Sequence, residues 1–535
     1  MKLVSKKTKS LLVWTCILYV VDSIIVSAQV YYNAKIITYA EKGNLESVVW
    51  QALGCCILLL IEYLVLTLAT TSCMAYLSNG EKDVKNDIMK NILSRPLEKF
   101  RGESDAFYLN LFSTDVELYR DDFLNSIPFL VNAVATLIAA SVMLLKLHPL
   151  FLIAALAASI LPSITVKPFT SMMQKSKKAY SKAAEEYTNV VKENIEAYET
   201  IRVNCSESVF SKKHEEANAS RQKTWARYSV IGKMSFETLM SVAGFSAVAC
   251  LGVGGYLVSK KIVEAGMLLA AVNYFSMLSN QFSNISSYVV SIQSSKQVIQ
   301  KLEEQRNVTC DMDKAVDLKL KPEITYDRVS FSFDEKELFH EFSYNFVQNG
   351  CYAVVGESGS GKSTLIKLLL KYYEQYTGNI FLGGQNIREM TAKELYQYVG
   401  VVEQTPYIFN SSLYDNVTLF SGHPKKDSEA YKELLRQLNL EDLAERVKEM
   451  PLGDFGDNIS GGERQRINIA RIMCKKPSII LFDEPTTGLD PENRILIEQF
   501  IFQRKDITRI VITHNWSQDY LNQFDGVVKI GEKKV

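Results

Sequence analysis

The sequence predicts a multi-domain chain: an all-α membrane domain of six helices, followed by an α/β domain built on a phosphate-binding loop and carrying a helical subdomain. Three observations predict it. Residues 1–300 hold six apolar runs, residues 301–322 are charged and hold none, and residues 323–535 contain VVGESGSGKSTL between a strand-like run and an apolar helix. A chain of 535 residues also exceeds what one hydrophobic core usually serves. Its 60 basic and 60 acidic residues cancel, so nothing implies a polyanionic partner, and nucleic acid is not expected.

A helix needs roughly 20 mostly apolar residues to cross a bilayer. Six runs qualify, at 11–30, 48–71, 127–145, 150–166, 239–258 and 267–281, the last being the most polar. The N-terminal MKLVSKKTK and the run after it resemble a signal peptide, but that run is long and is followed by others, so it reads as the first span. Spans two and three are separated by about 55 polar residues and four and five by about 70, whereas the other joins are short. The long joins therefore share one side. Lys2, Lys6, Lys7 and Lys9 before span one, with Lys82, Lys85, Lys90, Arg95, Lys99 and Arg101 after span two, place that side and both termini in the cytosol; Lys260 and Lys261 count mildly against this.

Those joins carry apolar residues at three- and four-residue spacing, so they read as helices continuing out of the membrane. Each pair would end in a short tip, at 102–110 (GESDAFYLN) and 197–204 (AYETIRVN), which either touches another domain or is a solvated loop. Ionisable residues inside spans are costly. Asp22 and Glu62 are the two clear cases, each either pairing with another helix or facing a cavity. Asn273, Ser276, Asn280 and Asn284 recur at helical spacing in span six and form a stripe suited to a water-filled path or a helix contact. The nine cysteines follow neither a zinc nor a disulfide spacing.

The loop itself, Gly356, Glu357, Ser358, Gly359, Ser360, Gly361, Lys362, Ser363 and Thr364, contains G-x-x-x-x-G-K-[ST] in full. Its glycines let backbone N–H groups wrap phosphates, Lys362 reaches the β/γ-phosphates, and Ser363 is suited to ligate Mg²⁺. Downstream, SIILFDEP is a buried-strand run closing in Asp483 and Glu484. The first carboxylate at such a strand end can hold Mg²⁺, and the second can orient or deprotonate an attacking water.

NISGGERQRINIAR, running from Asn458 to Arg471, resembles the signature motif of ATP-binding cassette (ABC) ATPases, with Ile459 and Glu463 departing from the usual LSGGQ. The resemblance covers residues 323–535 and implies roles for further residues in order. Gln404 in VVEQTPYIF stands as the Q-loop, which also reaches the metal; Asp490 in TTGLD as the D-loop; His514 in VITHN as the switch histidine; and Phe333 as the aromatic that stacks on adenine. Ser460, Gly461, Gly462 and Glu463 would face the γ-phosphate of nucleotide bound by a second subunit. The stretch LGDFGDNI before the signature is shorter than the family's usual one, which contacts the coupling helices.

One cassette with six spans resembles a half-transporter of the exporter type (type IV). That resemblance implies a second half-transporter subunit, ATP and Mg²⁺ as cofactors, a lipid bilayer and a transported solute as partners, and residence in the cytoplasmic membrane. Glu484 and His514 are both intact, which favours a homodimer over a heterodimer. An importer with the exporter-type fold, an ATP-gated channel or regulator, and a soluble ABC ATPase are the alternatives; the six apolar runs weigh against the last.

Overall fold

The computed structural model describes residues 3–306, 320–333, 336–448, 450–453 and 456–531. Two compact units emerge: Met1–Met89 with Tyr108–Arg306, and Lys90–Phe107 with Asn307–Val535. Of the stretch expected to be a linker, 301–306 closes the helix Lys296–Arg306, and 307–319 lies outside the described residues.

The first unit is wholly helical. Helices α1 (Lys6–Glu41) and α2 (Leu45–Leu93) are followed, after a one-turn helix α3 (Leu97–Arg101), by Phe107–Leu147, Pro149–Glu196, Glu207–Ser259 and Ala265–Ser294. Among the described residues, α1, α2 and Phe107–Leu147 are each long and apolar enough to cross a membrane. The fourth, fifth and sixth apolar runs lie in the remaining three long helices, although side chains 157–167 lie outside the described residues. At 1.5 Å per residue the 49 residues of α2 extend roughly 70 Å, over twice a hydrocarbon core, so the helix must leave the bilayer. Pro149–Glu196 (48 residues) and Glu207–Ser259 (53) do the same.

Small residues let these helices approach. Ala34, Ala140, Ala155, Ala270 and Ala271 pack around Phe151, Tyr274, Phe275 and Leu278. A Cβ on Gly266 would lie 2.4 Å from the Ala34 carbonyl oxygen. Polar groups on α1 are bonded across helices: the Ser23 hydroxyl donates to Asn132 Oδ1 at 2.9 Å, and Tyr274 donates to the Ser27 carbonyl at 2.5 Å. Gln29 donates to the Glu62 carboxylate, while Asp22 is buried with Oδ1 lacking a partner among the described residues. The stripe Asn273, Ser276, Asn280 and Asn284 is exposed, opposite the buried face Ala270, Ala271, Tyr274 and Leu278. A largely apolar groove of about 1380 Å³, lined by residues such as Ile24, Tyr31, Ile138 and Met267, lies between α1 and two of the other helices.

The second unit is α/β. A parallel sheet has the order β6-β7-β8-β3-β9: β6 is Val399–Val402, β7 Ile479–Asp483, β8 Thr508–Ile512, β3 Cys351–Gly356 and β9 Gly526–Ile530. An antiparallel sheet, β2-β1-β4-β5, is built from β1 (Ile324–Phe333), β2 (Lys336–Phe346), β4 (Thr377–Leu382) and β5 (Gln385–Asn386). The central strands read as continuous apolar runs because both faces are covered. Successive residues of β3 enter opposite cores: Cys351, Ala353 and Val355 pack with Leu435, Leu443 and Ile467 of the helical subdomain, and Tyr352 and Val354 with Leu365, Leu369 and Phe346.

The first of the expected tips clusters with this second unit. Residues 90–107, which include α3 and the first part of the expected 102–110, group with it, and α3 makes two of the contacts: the Glu374 N–H donates to Glu98 Oε1 at 3.3 Å, and the Arg101 guanidinium stands 4.7 Å over the Tyr372 ring. Arg101 and Glu98 share this turn because they are three residues apart. The second tip forms the helix Tyr198–Val203, with Tyr198 and Val203 exposed.

Candidate functional site

The phosphate loop leaves the end of β3, a strand with every residue buried. Gly359 has φ 76° and Gly361 φ 102°, a region in which side chains are strained, and Gly361 opens the helix Lys362–Leu369. A Cβ on Gly356 would lie 2.5 Å from the Ile530 carbonyl oxygen. Lys362 is buried and folds back, its Nζ donating to the carbonyls of Gly356 and Glu357, each at 2.9 Å. Ser360 Oγ is buried with no hydrogen-bond partner among the described residues. An ammonium inside a glycine loop, beside an orphaned hydroxyl and a helix N-terminus, fits a polyphosphate.

Ser363 Oγ donates to Asp483 Oδ1 at 3.1 Å, bringing together a hydroxyl and a carboxylate, the hard oxygen donors Mg²⁺ prefers. Burial pushes the Asp483 carboxyl up from its ordinary range; the Ser363 hydrogen bond opposes the shift and the Glu484 charge adds to it. A carboxyl whose pKa rises on folding stabilises the fold below the ordinary carboxylate pKa and loses that contribution as pH rises through the elevated one. Asp483→Asn removes the loss while keeping an acceptor for Ser363. Without nucleotide or Mg²⁺ it should melt about 2 °C above the parent at neutral pH and together with it in acid, by scanning fluorimetry. A lower melting temperature at neutral pH would mean the Asp483 charge supports the fold.

Glu484 follows directly, at φ 50°, its N–H donating to the Ile512 carbonyl at 3.2 Å. Three side chains converge on its carboxylate. His514 Nε2 lies 2.7 Å from Oε1, Gln404 Nε2 donates to Oε2 at 3.0 Å, and Thr487 Oγ1 donates to Oε2 at 3.3 Å. The convergence is topological: Gln404 follows β6 and His514 follows β8, the two neighbours of β7, so all three loops leave the carboxyl edge of one parallel sheet. Sequence reasoning missed Thr487. Its signal was local, since its N–H donates back to the Glu484 carbonyl at 3.2 Å in the turn that begins there.

The signature region forms the start of the helix Gly461–Cys474, capped by Ser460. Ser460 Oγ accepts the Glu463 N–H at 3.2 Å, the Glu463 carboxylate accepts the Ser460 N–H at 2.7 Å, and Arg446 donates to its other oxygen at 3.0 Å. Burial acts to raise the Glu463 carboxyl, but the Ser460 N–H and the Arg446 guanidinium outweigh it and hold the pKa below the usual range. Glu463 was expected among the nucleotide-binding residues; its carboxylate is engaged in capping. Glu463→Gln keeps an acceptor for the Ser460 N–H and should retain ATPase activity within about twofold, whereas Glu463→Ala forfeits about 1 kcal/mol of capping. Equal loss in both variants, by steady-state ATPase assay, would place the carboxylate's charge in the reaction.

Asp490 caps the helix Pro491–Gln503, accepting the Asn493 N–H at 2.9 Å. Phe333, at the end of β1, is 41% exposed and meets Phe331 and Tyr373 edge to face, each at 5.0 Å. Tyr373 is a second aromatic at this spot that the sequence did not single out. Before the signature, Leu452 is fully buried and its N–H donates to the Ser411 carbonyl at 2.9 Å, while 454–455 lie outside the described residues.

Family models match over both parts of the chain, the ABC transporter transmembrane region at residues 12–282 and ABC transporter at 339–487. The chain belongs to the ABC transporter family. It joins one membrane region to one ATP-binding cassette. Among its relatives is ABC transporter B family member 4 of Dictyostelium discoideum, 25% identical over 496 residues, which cover 88% of this chain and 62% of that one. This chain thus spans less than two thirds of that relative's length. A multidrug export ATP-binding/permease protein of Staphylococcus aureus (strain NCTC 8325 / PS 47) is 25% identical over 452 residues, 81% of this chain and 78% of the relative. In fold it is similar to a bacterial Atm1-family ABC exporter solved with ATP bound, with TM-score 0.80 and 18% identity, covering 98% of this chain and 94% of the other.

Proposed function

We propose that two copies of this chain form an exporter in the cytoplasmic membrane, with cassettes and both termini cytosolic, in which each phosphate loop closes against the other copy's signature. The observation that carries this reading is the convergence of Gln404, His514 and Thr487 on the Glu484 carboxylate, one residue beyond the Ser363–Asp483 pair. Glu484 takes the proton of the attacking water as general base. His514 senses the γ-phosphate and holds the carboxylate in line. Lys362, with the backbone of 356–364, cradles the β- and γ-phosphates, and Phe333 offers its exposed ring to adenine.

Ser363, Asp483 and Gln404 are the residues that would hold Mg²⁺. When bound, the ion offsets phosphate charge. Gln404 would offer the ion its amide oxygen while its Nε2 keeps the hydrogen bond to Glu484. Ser460, Gly461, Gly462 and Asp490 serve the site of the opposite copy. One chain carries every one of these residues, which supports two identical copies. Closure of the cassettes pulls on α3 through Glu98 and Arg101, and the long helices carry the displacement to the membrane.

For cargo, the exposed amide stripe of the sixth span and the apolar groove support a solute with both polar and apolar parts, and the multidrug export relative is in keeping with outward transport. The test is reconstitution of the purified chain in vesicles with the cassettes outward, using a fluorescent lipophilic solute. ATP-dependent accumulation inside is the expected result. ATP-dependent depletion would make it an importer, and flux that does not scale with hydrolysis a channel.

A further inference from the structure

Asn493 belongs to none of the motifs above, yet two of them meet through it. Its backbone N–H and its Nδ2 donate to the two carboxylate oxygens of Asp490, at 2.9 and 2.6 Å. Its Oδ1 accepts from Arg466 Nη1, on the signature helix Gly461–Cys474. On that same helix Gly462 packs so closely that a Cβ would lie 2.3 Å from Asn493 Cγ, so the two helices touch at this point and a larger residue at 462 would have to displace the Asn493 side chain. The amide is therefore used at both ends, one donor on a carboxylate and one acceptor on a guanidinium. Both hydrogen bonds involve a charged partner and are of the stronger kind. An aspartate at 493 would set two carboxylates against each other, and an aliphatic residue would leave Arg466 and Asp490 without their bridge. Burial lowers the Arg466 pKa while the Glu463 and Asp490 charges raise it, consistent with a guanidinium held between two acidic neighbours.

We infer that Asn493 is a positioning residue that locks Asp490 to the helix carrying Ser460 and Gly461, so that the two elements one cassette presents to its partner's nucleotide move as a single jaw. This rests on the two-copy reading above. Asn493 hydrogen-bonds to Asp490 and Arg466 and does not serve its own phosphate loop, so losing it should damage closure and spare binding within one cassette.

The experiment uses the full chain in lipid nanodiscs. Asn493→Ala should lower kcat at least about tenfold, the expected result of losing charge-assisted hydrogen bonds from closure, with KM for ATP little changed. In a Glu484→Gln background, which should trap ATP between the cassettes through rapid desalting, adding Asn493→Ala should abolish the trapped fraction. Binding of ADP, which has no γ-phosphate for a partner's signature to hold, should match the parent. Asn493→Ser, which keeps the backbone N–H but not the bridge, should behave like the alanine. Wild-type turnover and full trapping in Asn493→Ala would overturn the inference. Loss of ADP binding together with trapping would also overturn it, by making Asn493 a matter of folding. Failure of the Glu484→Gln parent itself to trap ATP would sink the two-copy reading instead.

Discussion

Glu484→Gln is expected to bind ATP as well as the parent does while its hydrolysis falls by about two to four orders of magnitude, the range a positioned general base contributes. The reasoning is geometric. The carboxylate is held by His514 at 2.7 Å, Gln404 at 3.0 Å and Thr487 at 3.3 Å, on a residue whose backbone is fixed at φ 50° by the β7 to β8 hydrogen bond. An amide of the same shape keeps the position and still offers an oxygen to the Gln404 and Thr487 donors, but it cannot take a proton from water. Neither Lys362 nor the glycines of the loop touch Glu484 among the described hydrogen bonds, so nucleotide affinity should be untouched. Steady-state ATPase activity and equilibrium binding of a fluorescent ATP analogue on the purified chain check both halves. Undiminished hydrolysis would remove Glu484 from its role and leave the convergence around it without a catalytic purpose.

Lys362→Ala should lose ATP affinity on the order of a hundredfold, the expected result of removing charge-assisted contacts to the phosphates. In the structure the lysine is already folded over the loop, its Nζ satisfied by the carbonyls of Gly356 and Glu357. That arrangement presents the ammonium where phosphate oxygens must approach, and it holds the loop's shape. Alanine removes both effects together. ADP and ATP affinities, measured by titration calorimetry, should both fall, ATP by more, because the lysine serves the shared β-phosphate and, in ATP, the γ-phosphate as well. Unchanged affinity would mean the side chain stays on the two carbonyls when nucleotide binds and contributes shape alone.

Much of the site was legible before any coordinates, since its parts are local. G-x-x-x-x-G-K-S, the strand closing in Asp483 and Glu484, and the signature run from Ile459 to Glu463 are each written within a few residues. The buried strands read as apolar runs for the same reason. What escaped was contact at a distance. Gln404 meets Glu484 across 80 positions and His514 meets it across 30, and nothing between those positions states that they adjoin. Thr487 hides in a turn whose neighbours have louder motifs. Glu463 reads as a substituted signature residue until the Arg446 contact shows how fully its carboxylate is engaged. The contribution of α3 to the first tip went unread, because a one-turn helix has too few positions to display a periodicity.

Periodicity, length and short-range spacing thus account for the number and type of elements, the membrane character of the first half and the chemistry of the phosphate loop. These properties are set by each residue and its near neighbours along the chain. Which acids meet which donors was settled by strand order, helix approach and burial: β7 lies between β6 and β8, Gly462 admits Asn493, and Gln29 reaches Glu62. Such pairings depend on where distant segments come to rest, and the packing of the whole chain puts them there.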